Sequence, residues 1–147
     1  MKEGGGEAGT PKEKNIKFKM VFDRVLTMFI INKIMVIHQM KLAAAPFEKV
    51  AGGEKVMESR LYDAKRQQIN LGDQIEFVCV EDNSRKVLTE VQALYRYLDF
   101  ESLFSDFPPS LFGGASKEEL IEEIQSFYTR QEQEKYGVVG IKIEVVK

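Results

Sequence analysis

Residues 53–77 read GEKVMESRLYDAKRQQINLGDQIEF. Lys55, Glu58 and Arg60 fall within six residues and beside apolar sequence. So dense a mixture of opposite charges points to a pocket rather than a solvated face. Lys55 to Tyr62 is strand-like. Residues two apart on a strand share a face, so Glu58 and Arg60 stand together with Val56 and Tyr62. Asp63 to Asn70 is polar and reads as a turn or a helical turn. Leu71-Gly72-Asp73 then feeds a second apolar strand, Asp73 to Val80. Gly72 supplies the unusual dihedrals of that turn, and Asp73 bonds its own backbone.

Upstream of this stretch, Met35 to Leu42 is strand-like. Pro46 to Gly53 reads as a short helix, with proline in its first turn, Phe47 and Val50 three apart, and glycines ending it. Downstream, Glu81-Asp82-Asn83-Ser84 is a turn, and Val87 to Tyr97 is rich in strand formers. Phe100 to Phe104 reads as a helical turn. Pro108-Pro109 and Gly113-Gly114 mark a loop. Ser116 is a good N-cap, with Glu118 and Glu119 at the positive end of the helix that follows. That helix sets Leu120, Ile124, Phe127 and Tyr128 on one face, and Gly137 ends the segment. Val138 to Val146 alternates as a last strand. Five strands with short helices predict an α+β fold built on a small mixed, barrel-like sheet. Only one helix is long enough for a parallel crossover, which disfavours a doubly wound fold.

A chain of 147 residues fits one domain. A hydrophobic content of 44% with 30% charged residues reads as soluble and globular. The single cysteine, Cys79, excludes an intramolecular disulfide and a cysteine-based zinc site, and reads as a small buried hydrophobe. The single histidine, His38, rules out a histidine-cluster metal site and reads as structural. No metal or cofactor is expected, and a reducing, cytoplasmic compartment fits.

Charge is unevenly spread. Residues 1–34 carry seven Lys/Arg and four Asp/Glu, and residues 35–147 carry fourteen and nineteen. An acidic body disfavours a broad nucleic-acid groove, whose affinity comes from neutralised phosphates, but leaves room for a local basic pocket. Residues 1–14 read as a disordered tail. The apolar run Val25 to Ile31 is too short to span a bilayer. Residues 20–34 read as a helix that packs on the domain, or residues 1–34 as a whole read as an extension upstream of a natural start at Met35.

The order Gly53-x-Lys55-x-x-Glu58-x-Arg60, then Leu71-Gly72-Asp73-Gln74-Ile75, resembles the ASCH domain, the activating-signal-cointegrator homology family of the PUA-like superfamily. The opening strand ending in Lys41-Leu42, the Pro46-to-Gly53 helix, the Tyr95-to-Phe104 pattern and Tyr136-Gly137 extend the resemblance over residues 35–147. It implies a PUA-like five-stranded mixed β-barrel with short flanking helices, and binding of RNA or a modified nucleoside. One branch of that family, the small acetylcytidine amidohydrolases, deacetylates N(4)-acetylcytidine through a Lys-x-x-Thr pair and a glutamate ahead of a long helix. Lys55 and Arg60 match that branch. Glu58 stands at the threonine position, and no acid stands near Phe112-Gly113. A protein-interaction role is a further alternative.

The residues themselves leave several readings open. Lys55 is a pocket base, a phosphate clamp or a surface lysine; a lysine acts as a base only when its surroundings lower its pKa. Glu58 and Arg60 either anchor the barrel through mutual bonds or bind a ligand. In the second case Arg60 reads a carbonyl or phosphate with its fork of donors, and Glu58 accepts an exocyclic amine or orients a hydrolytic water. Lys55 and Glu58 are thus the catalytic candidates, and Lys41, Lys55, Glu58, Arg60, Lys65 and Arg66 the ligand-binding ones. Tyr95, Tyr97, Phe100 and Phe104 read as core. Glu118, Glu119, Glu122 and Glu123 read as a solvated helix face.

Overall fold

Alternation of apolar and polar residues fixes which way each strand faces. The computed structural model describes residues 35–147, and the expectations for residues 1–34 lie outside the described residues. Strand β1 (Ile37–Leu42) buries Met40 and Leu42. Helix α1 (Ala44–Ala51) buries Phe47 and Val50. Strand β2 (Met57–Leu61) follows, then a 3-10 turn at Arg66–Gln68. Strand β3 (Gln74–Cys79) buries Ile75, Phe77 and Cys79 at strict period two. Strand β4 (Lys86–Tyr97) precedes helix α2 (Phe100–Asp106) and a 3-10 turn at Pro109–Phe112. Helices α3 (Lys117–Gln125) and α4 (Arg130–Tyr136) lead into strand β5 (Val138–Val145).

The strands form one mixed sheet in the order β1-β3-β4-β5-β2, with β1 and β3 parallel and the other neighbours antiparallel. A bulge between Val91 and Ala93 bends β4 where it passes from β3 to β5. The result is an α+β fold in which the sheet curls into a half-barrel. Hydrogen-bond ladders join four of the five strand interfaces that a closed barrel needs. At the fifth, between β1 and β2, the Arg60 guanidinium reaches across and donates to the Lys41 carbonyl at 2.9 Å. The seam is bridged by a side chain.

Two cores flank the sheet. One holds Met40, Phe47, Val50, Ile75, Phe77, Val91, Ile141 and Ile143. The other packs Phe100, Leu103, Phe104, Phe112 and Leu120 against Met57, Leu61 and Val138. Strand β5 serves both, which is why its first four residues are all buried. Gly140 lies in that strand because a Cβ there would meet Leu103 Cδ1 at 2.8 Å. Among the described residues, no helix is long and apolar enough to cross a membrane.

The region after Ser116 is divided where the sequence reads as continuous. The apolar spacing carries on through Phe127 and Tyr128, but α3 stops at Gln125. Thr129 starts α4 with a capping box: its hydroxyl accepts from the Glu132 N–H at 3.1 Å, and the Glu132 carboxylate accepts from the Thr129 N–H at 3.0 Å. The break turns Phe127 out to solvent, 66% exposed.

Candidate functional site

Strand β2 sends Met57 and Leu61 into the helix-side core and turns Glu58 and Arg60 to its other face. Lys55 enters from the loop ahead of β2. Its N–H donates to the Lys49 carbonyl at 3.0 Å, and the next N–H, of Val56, donates to the Leu111 carbonyl at 2.9 Å. The backbone therefore fixes Lys55 before its side chain makes any contact.

The three side chains converge. The Lys55 ammonium donates to Glu58 Oε1 at 3.4 Å, and Arg60 Nη2 donates to Glu58 Oε2 at 3.5 Å. The Ser59 N–H donates to Glu58 Oε1 at 2.8 Å. Glu58 is 4% exposed. Burial pushes its carboxyl up, but the charges of Lys55 and Arg60 together with the Ser59 N–H outweigh that, and its pKa lies below the ordinary glutamate value. Burial likewise works against the charge on Arg60, yet Glu58 and then Tyr128 hold its pKa above the ordinary value. The pair is thus ionised and mutually supported, with Arg60 Nη2 bonded to both Glu58 and the seam carbonyl.

These groups line a cleft of about 530 Å³ along the free edge of β2. Lys41 lies in the same lining and, by its carbonyl, anchors Arg60. The cleft therefore gathers Lys41, Lys55, Glu58 and Arg60. Lys65 and Arg66 are placed elsewhere, at the start of the 3-10 turn after β2, and neither lines the cleft. Arg66 is paired with Asp63 at 2.9 Å, a local contact that holds its guanidinium on the turn. His38 is bonded to Asp73 at 2.9 Å and Cys79 is buried, both structural as their sequence surroundings indicate.

The cleft also holds residues that sequence reasoning passes over. Lys49 lines it and donates to the Gly113 carbonyl at 2.7 Å. Gly113 has φ +81, and a Cβ there would meet the Lys49 and Lys55 stems at 3.2 and 3.3 Å, so glycine is what lets both lysines pack beside this turn. Phe112, Phe127 and Tyr128 supply aromatic surface. Glu119 and Glu123 line the rim opposite β2, although the four acids of α3 read as one solvated face. Glu118 and Glu122 are likewise four apart on α3, so spacing alone does not separate the two pairs.

Comparison with known proteins agrees with this architecture. A family model described as ASCH domain matches residues 40–147. Among solved structures, the hypothetical protein PH0355 is 32% identical with a TM-score of 0.67, over 76% of this chain and 100% of its own. Protein PF0455 from Pyrococcus furiosus is also 32% identical, with a TM-score of 0.59, over 76% of this chain and 99% of its own. An ASCH domain from Lactobacillus crispatus JV V101 is 13% identical with a TM-score of 0.55, over 95% and 97%. At that identity the likeness is one of fold. No curated protein matches the chain.

Proposed function

The chain belongs to the ASCH domain family, and on that premise we propose that the cleft along β2 is a recognition pocket for RNA or a modified nucleoside. The observation that carries the reading is the meeting of Lys55, Glu58 and Arg60 in the wall of one cleft. Its volume of about 530 Å³ is of the size that takes a small ligand. In this reading Arg60 and Lys55 donate to a carbonyl or phosphate oxygen. Glu58, ionised and buried, accepts from an exocyclic amine. Phe127 and Tyr128 offer a face on which a base can stack.

The same geometry favours recognition over amide hydrolysis. A general base works best with a pKa near the operating pH, whereas Lys55 and Arg60 draw Glu58 the other way. The carboxylate is also engaged by three donors. An amidohydrolase built on the Lys55–Glu58 pair would have to break those bonds to free its base.

Titration of short RNAs and modified nucleosides against the wild type and Arg60→Ala tests the proposal. A hydrogen bond to a charged group contributes about 1.5–3 kcal/mol, so Arg60→Ala is expected to weaken binding by roughly tenfold or more. Equal binding by the two proteins would end the claim for this site.

A further inference from the structure

The two walls of the cleft carry opposite charge. On the β2 side stand Lys55 and Arg60 with Glu58 between them, and Lys41 at the seam. On the α3 side, Glu119 and Glu123 present two exposed carboxylates one helical turn apart. The cationic wall is partly spent within the protein. Glu58 compensates one of its two cationic neighbours, and Lys49 is turned onto the Gly113 carbonyl. Lys49 keeps its charge there, so four cations stand against Glu58 alone on that side, and the two α3 carboxylates cancel two of the three surplus charges that a phosphate would meet. A neutral heterocycle finds donors on one side and acceptors on the other.

Resting on the recognition reading above, we infer that Glu119 and Glu123 set the charge specificity of the cleft. By cancelling two of those surplus charges they shift the cleft's preference away from a phosphorylated ligand and toward an uncharged nucleoside with an amine edge turned toward α3. Glu118 and Glu122 lie on the same helix, are likewise exposed, and are absent from the cleft lining. They separate the effect of position from that of net charge. Both acid pairs sit on one helix, so the glutamine variants Glu119→Gln/Glu123→Gln and Glu118→Gln/Glu122→Gln change overall charge identically.

The experiment titrates adenosine and cytidine, each against its 5′-monophosphate, into the wild type, the two double variants and Arg60→Ala. Thermal melts check that each variant is folded. Exposed charge pairs are worth up to about 1 kcal/mol, so Glu119→Gln/Glu123→Gln is expected to shift the ratio of the two affinities toward the monophosphate by up to about fivefold for each carboxylate removed. Glu118→Gln/Glu122→Gln should leave the ratio at its wild-type value. Raising the salt should shrink the difference between Glu119→Gln/Glu123→Gln and the wild type, because charges at a rim are screened. An unchanged ratio in Glu119→Gln/Glu123→Gln, with Arg60→Ala still weakening both ligands, overturns the inference and leaves the recognition reading standing. An equal shift of the ratio in Glu118→Gln/Glu122→Gln overturns it too. Absence of any binding by the wild type removes the recognition reading, and this inference falls with it.

Discussion

At Glu58 a buried carboxylate is approached by two cations at 3.4 and 3.5 Å and by one backbone N–H at 2.8 Å. Removing one partner of a buried ion pair leaves the others uncompensated. Glu58→Gln leaves Lys55 and Arg60 side by side in the cleft wall, and is expected to cost about 3 kcal/mol, the low end for buried pairs, since both cations keep some access to water. Denaturant unfolding at neutral pH measures it. The same residue gives the protein an acid limb. Its folded pKa is held below the ordinary 4.5, so the unfolded chain takes up the proton more readily. The stabilisation is complete above about pH 4.5 and is lost as pH falls through the folded value. Glu58→Gln should therefore flatten the fall of stability with acid, and an unaltered fall would contradict the account of this carboxylate. Glu58 and Arg60 are legible in the sequence because a strand period of two puts them on one face. Their partner at the seam is not, because the acceptor is a backbone carbonyl, that of Lys41, which no residue type announces.

Among the elements, the strands follow from their alternation, and each lies within about two residues of its sequence-based bounds. The order in which they pair does not. Strand β2 joins β5 at the far edge, and only the folded chain shows that β1 and β2 then face each other across an unladdered seam. The α3–α4 break was accessible in principle: Thr129-x-x-Glu132 is a capping box, but the apolar residues Phe127 and Tyr128 ahead of it mask the stop. Helix α2 can approach the sheet because of Gly140 on β5. Gly140→Val forces a side chain into the space of Leu103, which is fully buried. It is expected to destabilise by about 1–3 kcal/mol, and Leu103→Ala in the same chain should cost less than the two changes added separately. A double-mutant cycle on thermal or denaturant unfolding reads this coupling, and strict additivity would mean that the two elements do not meet there.

Across residues 35–147 acidic side chains outnumber basic ones by five, while the cleft concentrates Lys41, Lys49, Lys55 and Arg60. Long strands of RNA bind chiefly through neutralised phosphates, and outside the cleft this body carries ten Lys/Arg against sixteen Asp/Glu. The logarithm of any RNA affinity is therefore expected to fall with the logarithm of salt at a slope of about −1, as for one or two phosphate contacts; a slope several times steeper would call for a groove that the charge distribution does not provide. The family was legible from the order of short motifs, and the family match over residues 40–147 bears it out. The acidic wall was not, because a glutamate on a solvated helix and one at the rim of a cleft look alike until the helix is placed. Backbone amide chemical-shift mapping, with a modified nucleoside titrated into the labelled protein, tests the central claim most directly. The account predicts shifts concentrated at Ser59, Arg60, Gly113 and Phe127, around the cleft. Shifts gathered instead at the second hollow, around Leu98 and Gln133, or none anywhere, would contradict it.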